Sequence, residues 1–567
     1  MSVLQRASAP TRPAHPRGAP LRAAGRSSRW PGDDGTRGLL RASGPVWGAS
    51  ATALLLGLLW ARYLSPVAGD LAAQWAWADF AAQHPGSAYD LAWYGGMHPA
   101  SYSLLAPWLM ALLGVRTVGV VACTVSAALL AVLVLRARLR RPLPVALWGA
   151  FALCCDVAAG RVTFALGVMF GLAAAVAAGG AGRRRTAATA LCSLLAVLAS
   201  PVAGLFVEVV AAGLLLSGRR DAARRRIGWA LAVPPPLVVL FTALLFPFAG
   251  VDPISLGTVG ITVATALAVA LLSPRHWWTV RAGAVVYAVG AVLTWLLSTP
   301  IGGNVQRLGL LFGSVLLLAA LCARPVRSGR RTVALGLAFA ATAYWTVAAN
   351  LIGLPPPTPD AQAAPLVAEL RLLHADRSRL EVVPMLNHWE SWALASSAEL
   401  ARGWNRQLDV QRNPLFYDGT FTAASYHAWL RQWAVRYVVL PAGRSDRAAK
   451  AEAALVRSGP AWLREIWHNG DWRLYEVTDA VPLAEPAPTA MPYVAVTVDH
   501  ADAEEVLLTV SAPGPVTVRI AWSPWLAAHG PAGACLVGDG RWTRLNAKAP
   551  GTYRIDARYS WPRGTPC

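Results

Sequence analysis

The sequence predicts an α-helical polytopic membrane domain of about eleven transmembrane helices, followed by an extracytoplasmic α/β plus β-sandwich domain. Three observations predict it. Apolar runs recur from Trp47 to Ile352, each approaching the roughly 20 residues that cross a bilayer. Arginine clusters punctuate alternate runs. From Leu354 onward the runs stop and ordinary mixed sequence takes over.

Composition agrees. Hydrophobic residues make up 55% of the 567 and charged residues 14%, with a mean hydropathy of +0.42; soluble domains run near about 45–50% and about 25%. The net charge of +21 does not mark a nucleic-acid binder, because the charges sit at the ends of apolar runs and in the N-terminal tail. No compact basic domain bearing aromatic residues is present. That tail, 1–44, carries Arg6, Arg12, Arg17, Arg22, Arg26, Arg29, Arg37 and Arg41 among Pro, Ser and Gly. It is expected to be disordered and cytoplasmic, with the first span acting as an uncleaved anchor.

The membrane domain, 45–353, threads by testing each run against its flanking charge. Trp47–Ala61 leaves the basic tail and reaches Asp70, so it runs outward. The next run, Ser101–Gly114, is short and holds Pro107. Were it to cross, Arg136, Arg138, Arg140 and Arg141 after Val118–Leu135 would lie outside, against the positive-inside rule. It is therefore expected to lie in the outer interface. The runs Pro144–Ala158, Val162–Ala178, Ala187–Ala199, Val202–Leu216, Ile227–Phe246, Val259–Leu272, Ala282–Leu297, Leu308–Ala320 and Val333–Ile352 then alternate, with every arginine cluster inside. The first outer loop, 64–100, is long and rich in Trp, Tyr, Asp and His.

Beyond the last span, 354–480 mixes helical patterns (Ala424–Trp433, Ala448–Ser458) with strand-like runs (Leu380–Pro384, Arg436–Leu440, Trp472–Val477). This predicts an α/β domain. The remainder, 481–567, opens with a Pro-rich linker and continues as short β-branched runs between Gly and Pro turns, the pattern of a small sandwich. Cys123, Cys154, Cys155, Cys192 and Cys322 fall in apolar segments and read as small core residues. Whether Cys535 and Cys567 pair stays open, since sequence does not bring them within reach of each other.

Chemistry concentrates in the first outer loop. Asp70 stands just past the first span, where restricted water access would raise the pKa of a carboxylate and suit it to general-base work. The same Asp is also a favoured helix N-cap. A helix from Asp70 to Gln83 puts Asp70, Gln74 and Trp77 on one face. An outer-face Asp after the first span, His98-Pro99 leading into a short apolar helix that ends in Gly114, and a following span closing on arginines together resemble the GT-C glycosyltransferases. The resemblance is carried at residue level by Trp47–Arg141; Ala100 stands where the family has a second proline.

The resemblance implies a sugar transferase in a bacterial plasma membrane. Its donor would be a polyprenyl-phosphate sugar and its acceptor an outer-face cell-envelope glycan or lipid. It makes Asp70 the catalytic base. Carrier phosphate needs cations near the outer surface, for which Arg307, within Gly302–Arg307, and Arg161 are candidates. Asp90, His98 and Asn304 are further substrate-binding candidates. Asp90 alternatively forms a turn, His98 is alternatively structural, and Arg307 alternatively snorkels. No Asp-x-Asp or Glu-x-Asp occurs in the outer loops, so no metal or other cofactor is expected. Glu208, inside an apolar run, must face protein or a cavity. Asn387–Ser391 and Arg402–Asp409 mix aromatic and polar residues, as carbohydrate sites and ordinary loops both do. The rivals to a transferase are a multi-span transporter and a non-catalytic protein with an envelope-binding outer domain.

Overall fold

The computed structural model describes residues 35–64, 69–180, 182–219, 221–323, 329–352, 362–491 and 493–567. Contacts divide the chain into Met1–Gly44 and Pro45–Cys567. Most of the basic tail lies outside the described residues, and the second unit is the subject below.

Helices α1 (Gly35–Leu59), α2 (Gly69–Gln83), α3 (Pro99–Tyr102), α4 (Ala106–Leu113), α5 (Val115–Arg136), α6 (Pro142–Ala158), α7 (Val162–Ala178), α8 (Arg183–Ala199) and α9 (Pro201–Ser217) come first. They are followed by α10 (Ala222–Ala232), α11 (Pro234–Leu245), α12 (Leu256–Leu272), α13 (Trp278–Leu296), α14 (Ser314–Cys322) and α15 (Arg330–Leu351). Six helical stretches among the described residues are long and apolar enough to cross a membrane: Ser43–Leu64, Val115–Arg136, Ala222–Leu245, Trp278–Leu296, Gly302–Cys322 and Arg330–Leu351. They make this a membrane protein. Helices α6, α7, α9 and α12 are apolar but have 17 residues each. Length alone therefore qualifies six spans, and the expected eleven also counts the shorter helices.

Helix boundaries follow local chemistry. Proline opens α6, α9 and α11, where its missing N–H is no loss. The single run read as Ile227–Phe246 is broken at Val233, because Pro234, Pro235 and Pro236 supply no backbone donors to the preceding turn. The short run after the first loop becomes α3 and α4. Eight residues of α4 reach only roughly 12 Å, far less than a bilayer core, and Trp108, Leu112 and Leu113 are exposed along it.

The region after α15 contains α16 (Ala364–Leu372), α17 (Trp389–Ala393), α18 (Arg406–Arg412), α19 (Ala423–Gln432) and α20 (Lys450–Arg457). They surround a five-stranded sheet of β1 (Arg379–Val382), β2 (Glu399–Leu400), β3 (Val435–Pro441), β4 (Leu463–His468) and β5 (Trp472–Val477), in the order β2-β1-β3-β5-β4. Strand β1 pairs in parallel with β2 and β3, and the β3–β5 and β4–β5 pairs are antiparallel. Inside this domain Arg402 is held by Glu381 and Glu452, and Tyr426 donates to Glu452 at 2.8 Å.

Two four-stranded antiparallel sheets follow. One has the order β10-β13-β8-β7, from β7 (Val496–Ala501), β8 (Glu505–Val510), β10 (Ala527–His529) and β13 (Gly551–Asp556). The other has the order β11-β12-β9-β6, from β6 (Ala484–Pro486), β9 (Gly514–Ala521), β11 (Ala534–Asp539) and β12 (Trp542–Ala547). Val506, Leu508, Val518, Ile520, Leu545 and Ile555 alternate inward to form one core. Cys535 and Cys567 form a disulfide with their Cα atoms 4.8 Å apart.

The loop after α2 is woven into both of these domains. Ala88 N–H donates to the Ala557 carbonyl at 2.6 Å, Leu91 to Ala503 at 2.9 Å and Tyr94 to Leu400 at 3.1 Å. Gly96, at φ +121°, has the Tyr89 ring 2.1 Å from where a Cβ would stand, so only glycine fits this turn.

Candidate functional site

Asp70 enters the site in the first turn of α2. Its Oδ2 lies 3.5 Å from Arg161 Nε and 3.5 Å from Arg307 Nη2. The side chain is 35% exposed. Asp70 is therefore less desolvated than the sequence suggests, and it is clasped between two guanidiniums.

Each arginine is held by its own element. Arg161 precedes α7 after a turn at Gly160, where φ is +82°. Its Nη1 donates to Asp156 Oδ1 at 3.1 Å and to Asn350 Oδ1 at 2.6 Å. Asn350 itself donates to the Thr346 carbonyl, so α6, α7 and α15 converge on one guanidinium. Arg307 ends the 3₁₀ segment Gly302–Gln306, and its guanidinium carbon lies 5.3 Å from the centre of the Phe164 ring. Tyr287 of α13 steadies this segment, donating its hydroxyl to the Val305 carbonyl at 2.7 Å and accepting from Gly309 N–H at 3.0 Å. Gly309 opens a π-helical turn, which frees that N–H for the tyrosine. Asp252 closes the other side by accepting from Gly303 N–H at 3.0 Å. Burial raises the pKa of Asp252, opposed by that N–H and by Arg406 and Arg307.

Gln74, one turn along from Asp70, fixes the helix to its surroundings. It is almost wholly buried. Its Oε1 accepts from Thr163 N–H at 2.8 Å and from Thr163 Oγ1 at 3.1 Å. Its Nε2 donates to the Gly160 carbonyl and, at 3.2 Å, to the Asp70 carbonyl. Gln74 thus spans the turn that carries Arg161. Tyr102 of α3 completes the wall: burial raises its pKa, and the Asp70 charge raises it further. A buried phenol beside a carboxylate stays protonated and remains a donor.

The helical bundle also holds a cavity of about 1200 Å³. Tyr287 and Leu308, next to Arg307, line it together with aliphatic side chains such as Val168, Leu172 and Val207, and Arg224 and His276 also border it.

Of the residues singled out in the sequence, the structure brings together Asp70, Arg161 and Arg307, with Asn304 on the 3₁₀ segment leading to Arg307. It does not bring Asp90 or His98 to them. Asp90 Oδ1 accepts from Ala92 N–H at 2.9 Å in a buried turn whose nearest acids are Glu399 and Asp502; burial lifts its pKa to about 7. His98 lies between the Tyr89 and Phe246 rings. Its Nδ1 bonds the Ala88 carbonyl at 2.8 Å and its Nε2 bonds Ser523 Oγ at 3.1 Å. Burial lowers its pKa to about 4. His98 ties the loop to the β-sandwich through Ser523, and Asp90 closes a turn within the loop itself. Glu208 is half-buried in α9 and forms no ion pair with Arg161 or Arg307.

The two outer-domain stretches also separate in role. Gly69 abuts the Leu386 carbonyl, with 3.5 Å to a would-be Cβ, so the Asn387–Ser391 stretch borders the start of α2. His388 stacks on Trp404 at 3.5 Å, and Arg406 pairs with Asp446 at 3.4 Å. Arg402, by contrast, is buried in the α/β core. No group of three or more His, Cys, Asp or Glu among the described residues is arranged to hold a metal ion.

Residues 494–567 match the model of a domain of unknown function, DUF8823. No curated protein matches the chain. Among solved structures, it is similar to cryo-EM structures of the arabinofuranosyltransferase AftD from Mycobacteria. A mutant form is 14% identical at a TM-score of 0.44, covering 91% of this chain and 60% of that one. A second AftD structure is 13% identical at the same TM-score, covering 91% and 57%. The chain thus spans about 60% of the length of these neighbours. At that TM-score the likeness carries none of the reasoning that follows.

Sequence reading missed Gln74 as a clamp, and it missed Tyr102 and Asn350 altogether. Asn350 carried a usable signal, being an amide near the end of an otherwise apolar run. Tyr102 carried none beyond its place after His98-Pro99.

Proposed function

We propose that this protein is a GT-C-type glycosyltransferase, with about eleven spans, a cytoplasmic N-terminus and its outer domains on the far side of a bacterial plasma membrane. It takes a sugar from a polyprenyl-phosphate carrier and places it on a cell-envelope glycan or lipid. The observation that carries this reading is Asp70 between Arg161 and Arg307, together with an apolar cavity in the bundle that reaches Leu308, the residue after Arg307. A carboxylate, a pair of guanidiniums and a greasy compartment are the three things a lipid-phosphate sugar donor requires of its site.

In the reaction, the acceptor oxygen forms a bond to the anomeric carbon as the bond from that carbon to the carrier phosphate oxygen breaks. Asp70 takes the acceptor proton. The phosphate leaves as an anion, and Arg307 and Arg161 receive its charge through paired N–H donors. The aliphatic lining of the cavity suits a hydrocarbon tail rather than a polar solute, which favours a transferase over a transporter. The Cys535–Cys567 disulfide suits an oxidising, extracytoplasmic side.

The test is release of free polyprenyl phosphate by the full chain in nanodiscs, supplied with a panel of polyprenyl-phosphate sugars and envelope acceptors. Asp70→Asn keeps the size of the side chain but removes the base, and is expected to lower turnover by about 10²–10⁴-fold. Equal turnover by wild type and Asp70→Asn would remove Asp70 as the base. No release from any donor by folded protein would remove the transferase reading.

A further inference from the structure

Two aromatic side chains just after the last strand of the β-sandwich are open to solvent. Trp561 is 81% exposed and Tyr559 44% exposed. An exposed indole marks an interaction surface where it continues a larger apolar patch.

The surroundings of the patch identify what covers it. The adjacent sandwich residues are fastened to the end of a membrane helix. Trp525 Nε1 donates to the Leu245 carbonyl, the last residue of α11, at 2.7 Å, and Arg563 Nη1 reaches the same carbonyl at 3.4 Å. Phe246 stacks on Trp525 with ring centres 5.3 Å apart, and Tyr559 meets both rings edge-on. On its other side, Tyr559 lines a small crevice with Pro107 and Trp108 of α4. Helix α4 in turn exposes Trp108, Leu112 and Leu113, and α11 exposes Leu237, Leu240, Phe241 and Leu244 along the span that ends at this point. Trp561, two residues from Tyr559, therefore continues a surface already apolar on the bundle side.

We infer that the β-sandwich rests on the bilayer through Trp561 and Tyr559, which enter the lipid headgroup–acyl boundary beside α4. The partner is the lipid surface of the leaflet that α11 reaches at Leu245. Tryptophan and tyrosine favour that depth because the ring is apolar while the N–H or O–H meets water and headgroups. The anchor holds the sandwich down at one edge only. In the order β10-β13-β8-β7, the α11 contact lies at the β10 end, next to Leu526, whereas Tyr493 precedes the opposite edge strand, β7.

The full chain in nanodiscs would carry the photo-crosslinking residue p-benzoylphenylalanine at position 561, 108 or 493, one at a time, and lipid adducts would be read by mass spectrometry after irradiation. Trp561 and Tyr493 are both largely exposed, so neither replacement disturbs packing. The expected yield at 561 approaches that at 108 and exceeds that at 493 by at least about tenfold. A yield at 561 no higher than at 493 overturns the inference. So do crosslinks from 561 to a second copy of the chain in place of lipid. Neither result depends on whether Asp70 is a base.

Discussion

Gln74→Leu tests whether one amide holds the site together. Leucine roughly keeps the volume and the helix propensity of Gln74 but removes its donors and its acceptor. Thr163 N–H then loses its 2.8 Å acceptor, and the Gly160 carbonyl loses its donor, both inside the protein. The Thr163 hydroxyl is a smaller loss, because it also bonds Tyr102. Two buried backbone groups left unpaired cost about 1–3 kcal/mol each, so the variant should be destabilised by about 2–6 kcal/mol. The strain falls on the Gly160 turn, and hence on Arg161. Thermal unfolding can be followed by a thiol-reactive dye, since Cys123, Cys154 and Cys155 are buried in the bundle and react only when it opens. Gln74→Leu should react at clearly lower temperature than wild type, and Thr163→Val should lose most of its own effect in the Gln74→Leu background. A variant that opens at the wild-type temperature, with additive effects in the double variant, would refute the clamp.

Other outcomes follow from the same geometry. Asp90 has its pKa raised by burial from near 3.8 to about 7, so its contribution to stability is complete below about pH 4 and is lost as pH rises through 7. About three units at about 1.4 kcal/mol each give up to about 4 kcal/mol. Asp90→Asn, which keeps the Oδ1 acceptor for Ala92, should therefore gain stability over wild type between pH 4 and 7 in denaturant titrations while retaining transferase turnover; a drop in turnover with unchanged stability would return Asp90 to the substrate site. Arg402→Met strands Glu381 and Glu452 in the α/β core and should cost about 3–5 kcal/mol, seen as protease sensitivity of 362–480 that Arg436→Met, at an exposed pair with Glu476, does not cause. Arg307→Lys retains charge but loses the fork geometry, and should raise the donor KM more than it lowers kcat.

Much of this arrangement was legible along the chain. The apolar runs and their arginine ends located the helices, since a segment that crosses lipid must be apolar throughout and helical to satisfy its own backbone. Val162–Ala178 and Trp472–Val477 stand in the structure at the residues read from sequence. That Ser101–Gly114 is no spanning helix was legible too: it forms the short helices α3 and α4. Asp70, Arg161 and Arg307 stood out individually because each lies between apolar runs away from the arginine clusters.

What the sequence by itself determined is therefore what depends on neighbours within one turn or one strand: helix positions, the prolines that start or break them, and which charges stand at helix ends. What only the tertiary structure decided is partnership. Asp70, Arg161 and Arg307 lie far apart in the chain yet meet within 3.5 Å at the Asp70 carboxylate, while Asp90, closer to Asp70 in sequence, closes a turn of its own loop and His98 bonds Ser523 of the β-sandwich region. The Gln74 clamp belongs to the same class. The physical reason is that a hydrogen bond or ion pair is set by distance in space, and chain separation carries no record of it until helices pack and loops close.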